Sequence, residues 1–228
     1  LKTSVVIMAG GKGDRLAPFT KVLPKPLIPI NEKPVIEHII EKFRLFGAKN
    51  FFVTVNYKSR ILKSFFIELQ PSYSVKFFDE IEPMGTVGGL KLHKQKFKSP
   101  FFVTNCDVIV DADYDDVLNF HKHNDYDVTL IASTKKYLIP YGICEINNDG
   151  NLSEIKEKPS FNFLANTGLY VLNPAVLKLI PKNKSFHMTD LIKKAKKEKL
   201  KIGVYPIDAE KWIDVGQWTE YRKTLERM

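Results

Sequence analysis

The chain has 228 residues, 44% of them apolar, and a formal net charge of +9. That length carries one large or two small domains with a sizeable core, and no apolar run approaches the roughly 18 residues of a membrane span. The basic excess attracts polyanions, yet much of it lies in Lys193–Lys201, which reads as the solvated face and end of a helix. No aromatic platform is interleaved with it, so nucleic acid is not an expected partner. Gly10 and Gly11 interrupt the first apolar run, so no secretory pattern opens the chain and a cytoplasmic setting is expected.

In chain order, apolar and β-branched runs predict strands at Ser4–Met8, Asn50–Val55, Val75–Phe78, Phe101–Asn105 and Val128–Ser133. Amphipathic stretches predict helices between them at Pro34–Phe46, Ser59–Leu69, Gly88–Lys94 and Tyr114–His123. Pro34 suits a first helical turn, and Gly47 a stop. Ile61, Leu62, Phe65, Phe66 and Leu69 form one apolar stripe. Beyond residue 140 the pattern changes. Tyr141–Ile146 and Leu152–Lys156 bracket the hairpin signal Asn147-Asn148-Asp149-Gly150. Ala165–Leu172 is a further strand, with helices at Pro174–Ile180, Met188–Glu198 and Gln217–Glu226.

Strand-helix alternation predicts an α/β fold: a Rossmann-like, mostly parallel mixed sheet covered by helices on both faces, with a small β insertion in the second half. One domain spanning 1–228 is expected, with 1–140 mainly nucleotide-binding. In such sheets ligands bind outside the carboxyl ends of strands. Cys106 and Cys144 show no metal-ligand spacing and read as buried apolar residues in a reducing compartment. The histidines have no partners at ligand spacing and are expected to stay silent.

Ala9-Gly10-Gly11-Lys12-Gly13-Asp14-Arg15-Leu16 follows the first strand, and Lys25 stands nine residues later. Amides of Gly10, Gly11 and Gly13 can approach phosphate oxygens closely, and Arg15 and Lys25 add positive charge. Asp14 and Arg15 break the Walker A pattern, and Leu16 replaces the third glycine of the dinucleotide fingerprint, so both of those readings lose weight. Asp107 and Asp214 each end an apolar run, and two such carboxylates could share one Mg²⁺ with phosphate oxygens. In Glu82–Leu90, Gly85, Gly88 and Gly89 could let backbone lie against a base, with Thr86 offering a hydroxyl. Glu157, Lys158, Asn166 and Gly168 are candidates for a sugar and its phosphate.

Together these residues resemble the sugar-1-phosphate nucleotidyltransferase family. The opening signature is Gly10-Gly11-Lys12-Gly13-Asp14-Arg15-Leu16-Ala17-Pro18 with Lys25-Pro26-Leu27. The later blocks, in order, are Gly85–Gly89, Asn105-Cys106-Asp107, Tyr141-Gly142, Glu157-Lys158-Pro159, Asn166-Thr167-Gly168 and Ile213–Gly216. The resemblance implies attack of a sugar 1-phosphate on the α-phosphorus of a nucleoside triphosphate, with Mg²⁺, releasing pyrophosphate. It implies that Arg15, Lys25 and Asp107 are catalytic and that Asp107 and Asp214 hold the metal. Ala9, Gly10, Gly11, Gly13, Thr86, Gly88 and Gly89 would bind the nucleotide. Gly142, Glu157, Lys158, Asn166 and Gly168 would bind the sugar phosphate, making 141–228 mainly the sugar-binding half. The Gly85–Gly89 block and the tail are similar to guanylyltransferases of mannose, heptose or glucosamine 1-phosphate, which implies GTP. CTP or UTP, and a non-catalytic nucleotide-sugar-sensing subunit, are the alternatives. Asp14 departs from the neutral residue many members carry. A Leu start suits a domain preceded by a regulatory module. Dimerisation through a C-terminal β-helix extension is not expected, and the oligomeric state stays open.

Overall fold

Val5–Ala9 forms β1, every residue buried, as a strand covered on both faces requires. The computed structural model describes residues 3–93, 97–218 and 221–222. After β1 come a short helix α1 (Phe19–Val22) and a hairpin of β2 (Pro29–Ile30) and β3 (Lys33–Pro34). Helix α2 (Val35–Leu45) begins one residue later than expected, with Pro34 as its extended N-cap. It buries Ile36, Ile39, Ile40 and Phe43, and the Phe43 ring stacks on Tyr114 at 4.1 Å. Then follow β4 (Asn50–Val55), α3 (Ser59–Leu69) and β5 (Ser74–Asp79). Of the predicted α3 stripe only Leu62 and Phe66 are fully buried, while Ile61 and Leu69 are exposed. The strand beneath, β5, is the sheet's edge and offers little to cover them.

Strands β6 (Phe101–Asn105) and β7 (Val108–Val110) lead into α4 (Tyr114–His123). Asp113 caps this helix by accepting the Asp115 and Asp116 amides. Strand β8 (Val128–Leu138) outruns its predicted end, and β11 (Ser160–Leu172) starts before its predicted beginning. Their extra residues pair with each other, Ser160 to Leu138 through Leu164 to Thr134. Between them lies the predicted hairpin, β9 (Ile143–Ile146) and β10 (Leu152–Lys156). Its turn closes through Gly150 N–H to Asn147 O at 3.0 Å. Cys144, on this thinly covered hairpin, is exposed, contrary to the expectation of burial; Cys106 is buried, and both are free thiols. Helix α5 (Met188–Lys197), then β12 (Ile202–Ile207) and β13 (Trp212–Asp214), complete the order. Gly88–His93 and Pro174–Leu179, expected as α-helices, are 3-10 turns. Strand β12 was not predicted. The helix expected over Gln217–Glu226 falls mostly outside the described residues.

The central sheet runs β12-β8-β11-β6-β1-β4-β5. All its pairings are parallel except those of β11, which is antiparallel to both β6 and β8. Alternation along β1 splits the core. Val5, Ile7 and Ala9 join one cluster with residues of α2, α3 and α4, while Val6 and Met8 join another with Val176, Leu177 and Leu191. Helices therefore cover both faces, as the alternation predicts. The basic run lies on the exposed side of α5, which buries Leu191 and Ala195.

The chain leaves β1 for β4 and β5 on one side, then returns to β6 on the other. The loops after β1 and β6 thus diverge from adjacent carboxyl ends, the switch point where open α/β sheets form a crevice.

His121 is almost fully buried, with Nδ1 2.8 Å from Thr129 Oγ1. Burial depresses its pKa from 6.5 to about 4, partly countered by the charge of Asp127. A histidine held neutral in the fold contributes its stability above pH 6.5, and that contribution is lost as pH falls towards about 4. Stability against urea should therefore fall by roughly 1–3 kcal/mol across that window, and His121→Gln should remove most of the slope.

Candidate active site

Gly13 takes a left-handed backbone, φ +73°, and starts the 3-10 turn Asp14–Leu16. Its carbonyl accepts the Thr20 hydroxyl at 3.0 Å. A Cβ on Gly13 would lie 2.9 Å from Thr20 Cγ2 and 3.1 Å from Lys25 Cβ. The glycine turn is therefore pressed against the start of the Lys25–Leu27 turn, as the phosphate-cradle reading needs. From there the Lys25 ammonium pairs with Asp107 Oδ2, with side-chain exposures of 12% and 10%.

Asp107 follows β6, and Asp214 reaches it through tertiary pairing. Strand β13 lies antiparallel on β7, placing Asp214 opposite Val108. The Val215 amide donates to the Asp107 carbonyl at 2.9 Å. The Gly216 amide donates to Asp214 Oδ1 at 2.8 Å. Both carboxylates crowd Gly216: a Cβ there would overlap Asp107 Oδ2 and sit 2.9 Å from Asp214 Oδ1. Burial raises the Asp214 pKa, and the negative charge of Asp107 adds to this; the Gly216 amide, Lys25 and Arg15 pull it back. Loop cations and strand-end acids thus share one electrostatic environment. Among the described residues no group of three or more His, Cys, Asp or Glu could hold a metal. Two converging carboxylates that would repel each other without a cation do fit Mg²⁺, which takes its other ligands from water and phosphate oxygens.

These residues border a cleft of about 410 Å³. Of the residues expected to bind nucleotide, Gly10, Gly11, Gly13 and Thr86 line it, and so do Arg15, Lys25 and Asp107, expected as catalytic, and the exposed Asp14. Ala9 is the buried last residue of β1. Asp214 adjoins Asp107 without lining the volume itself. Gly88 and Gly89 do not line it. They are buried, Gly88 against Met84 and the Lys184 carbonyl, Gly89 against Glu80 and Thr54. Close packing accounts for these two glycines without a ligand. The Thr86 hydroxyl oxygen accepts the Met188 amide at 2.9 Å at the start of α5, so part of its capacity is already used.

Glu80, Met84, Asn105 and His187 also line the cleft and were missed. Glu80 and Asn105 lie at the carboxyl ends of β5 and β6, a position the fold rule could have flagged. His187 arrives only through packing of the segment before α5, which is tied down by Phe186 N–H to Met84 O at 2.9 Å.

The sugar candidates form two groups. A Cβ on Gly142 would lie 3.1 Å from Glu157 Oε2, so these two are neighbours beside the β9–β10 hairpin. Lys158 is 3.8 Å from Glu157 Oε1, and both are exposed. The second group adjoins the cleft. Gly168, φ +89°, lies where the β11–β8 register shifts, and a Cβ there would lie 2.6 Å from Asn105 Nδ2. Asn166 holds this bulge by accepting the Gly168 amide at 3.2 Å and donating to Tyr170 OH at 2.7 Å.

Gly13→Ala is expected to cost about 1–3 kcal/mol in urea unfolding, from left-handed strain and the clash with Thr20 and Lys25. Unchanged stability would contradict so tight a loop.

The nucleotidyl transferase family matches residues 4–228. A mannose-1-phosphate guanyltransferase of Yarrowia lipolytica is 35% identical over 224 residues, covering 93% of this chain and 60% of that protein. The Saccharomyces cerevisiae mannose-1-phosphate guanyltransferase is 34% identical, covering 93% of this chain and 61% of its own length. The chain thus spans about 60% of the length of these curated relatives. The crystal structure of HddC from Yersinia pseudotuberculosis superposes with a TM-score of 0.78 at 26% identity, covering 99% of both chains. A second HddC structure, complexed with GMP-PN, gives 0.77. The match across the chain, the shared Rossmann-like sheet and the loop after β1 lead to one assignment: the chain belongs to the nucleotidyl transferase family.

Proposed function

We propose that this chain transfers a nucleotidyl group from GTP to a sugar 1-phosphate, releasing pyrophosphate, in a cytoplasmic setting. The observation that carries the reading is the meeting of the Gly13 turn, Lys25, Asp107 and Asp214 at one switch point. The guanyltransferase relatives and the GMP-PN complex of HddC support GTP as the donor.

Transfer to phosphorus depends on positioning and charge neutralisation more than on covalent help from protein. Amides of Gly10, Gly11 and Gly13 and the Arg15 guanidinium would hold the phosphate tail. Lys25 is held over Asp107 before substrate arrives, so its charge needs little reorganisation to meet the reacting phosphate. Asp107 and Asp214 would hold Mg²⁺, which supplies charge neutralisation at the phosphate oxygens when bound. The phosphate of the sugar is already ionised at neutral pH, so no side chain has to act as a general base. Asn166 and Gly168, beside Asn105, would meet the sugar from the β11 bulge. Gly142, Glu157 and Lys158 would close over it from the hairpin side.

The direct test combines Mg²⁺, each nucleoside triphosphate in turn and a panel of sugar 1-phosphates, and reads pyrophosphate. Release with GTP supports the proposal; silence with every pair would favour a sensor. Lys25→Ala and Asp107→Ala should each lose about 10²–10³ in rate while retaining the native circular dichroism spectrum. Wild-type turnover from either variant rejects its role.

A further inference from the structure

Among the described residues, the β9–β10 hairpin carries an apolar face with nothing packed on it. Cys144 pairs with Ile155 and Ile146 with Leu152, so these four side chains share one face. A bulge between Leu152 and Glu154 lets residues three apart, Leu152 and Ile155, stand on the same side. Solvent reaches that side: Ile146 is 68% exposed, Leu152 61% and Ile155 63%, and Cys144 is exposed as well. None of the four belongs to either core cluster. On the opposite face Lys156 bridges Glu145 at 2.7 Å and Glu154 at 3.0 Å. The polar groups are thus satisfied among themselves, while the apolar groups lie bare. A two-stranded hairpin in water is marginal without a third strand or a packed face.

The adjoining ribbon repeats the pattern. Pairing of β12 with β8 ends at Ser133, and pairing of β6 with β11 begins only at Leu169. Thr134–Leu138 and Ser160–Leu164 therefore pair with each other and leave both outer edges open among the described residues. Open edges beside apolar side chains are templates for another chain. Tyr137 lies opposite Phe161, and Phe163 follows on the same face, its ring centroid 6.1 Å from that of Tyr137 and 6.3 Å from that of Phe161. The Tyr137 and Phe163 rings are each more than half exposed. Half of the large apolar side chains exposed in the described residues fall within 137–164, so the exposure is concentrated here and not scattered singly. With the exposed Tyr141 on the connection, the two faces offer on the order of 1,000 Å², against about 800 Å² per partner in a standard interface.

We propose that this surface binds a second copy of the chain, forming a two-fold dimer in which the ribbon of each copy meets the hairpin of the other. Charge favours that occupant. The ribbon strands Thr134–Leu138 and Ser160–Leu164 carry Lys135 and Lys136 and no acid. Ile143–Lys156 carries the acids Glu145, Asp149 and Glu154 against one lysine. A two-fold axis sets the basic ribbon of each copy beside the acidic hairpin of its partner, so the complementary contact is made twice. Closure over the chain's own cleft fits less well. A lid there would turn polar groups towards hydroxyls and phosphates, whereas the hairpin face offers hydrocarbon and one thiol. The contact is independent of which nucleotide and sugar the cleft takes.

Analytical ultracentrifugation of the chain tests this. Interfaces of such a size hold at micromolar concentrations or below, so the wild type should sediment as a dimer at about 10 µM. Ile155→Glu combined with Phe163→Glu buries unpaired charge on both sides of the contact and should raise the dissociation constant about 100-fold or more. Both side chains are exposed in the single chain, so the variant should keep the wild-type circular dichroism spectrum. Cys144 gives a second readout in the wild type. Its reaction with a maleimide should slow as protein concentration rises, because the dimer covers the thiol, and should stay fast at every concentration in the double variant. Cys106 is buried in the single chain and does not compete. A wild type that stays monomeric at about 100 µM overturns the proposal, as does a double variant that remains dimeric. So does protection of Cys144 that follows added GTP and sugar 1-phosphate and not protein concentration, which would assign the face to closure over the cleft.

Discussion

The Lys25–Asp107 ion pair joins the two loops from which the rest of the site is built. Lys25 comes from the segment after β1, Asp107 from the end of β6, and the pair is about nine-tenths buried. Desolvation offsets much of the attraction in such a pair, so it is a poor source of net stability. Its value lies in geometry. A cation held in advance over an acidic strand end is already placed where phosphate charge would gather, and it partly neutralises two carboxylates that would otherwise repel.

Around this pair the chain is drawn tight by close backbone approach. The Gly13 turn leans on Lys25, and Gly216 lets Asp107 and Asp214 converge. Gly10 and Gly89 leave room for the Glu80 carboxyl between them. Ties from distant parts of the chain hold this arrangement. Trp218 Nε1 donates to Ala17 O at 2.7 Å and Tyr221 OH to Pro29 O at 2.7 Å, fastening the end of the described chain behind the first loop.

Strands with strong apolar runs and helices with clear periodicity were legible along the chain, as β1, β4, α2 and α4 illustrate. So were several groups that the structure brings to one cleft: glycines after a strand, an arginine and a lysine, and an aspartate just beyond β6. Less legible was anything with a short or mixed local signal. Gly88–His93 looks helical by composition but is a 3-10 turn. Strand β12 carries Gly203 and Pro206, which weaken a strand pattern, and its place beside β8 at the sheet edge is set by pairing. The glycines at 88 and 89 read as ligand contacts, yet side-chain packing explains them. Cys144 reads as core because cysteine usually is, but it lies on a hairpin with too little cover to bury it.

What the sequence by itself determined was the alternation of elements, the Gly13 turn and the types of charged group available, because these follow from local backbone preference and from periodicity. Only the tertiary structure decided that Asp214 stands beside Asp107 and that Glu80 and His187 join the cleft. Those placements depend on strand pairing and helix packing between segments far apart in the chain, where spacing along the sequence carries no information about distance in space.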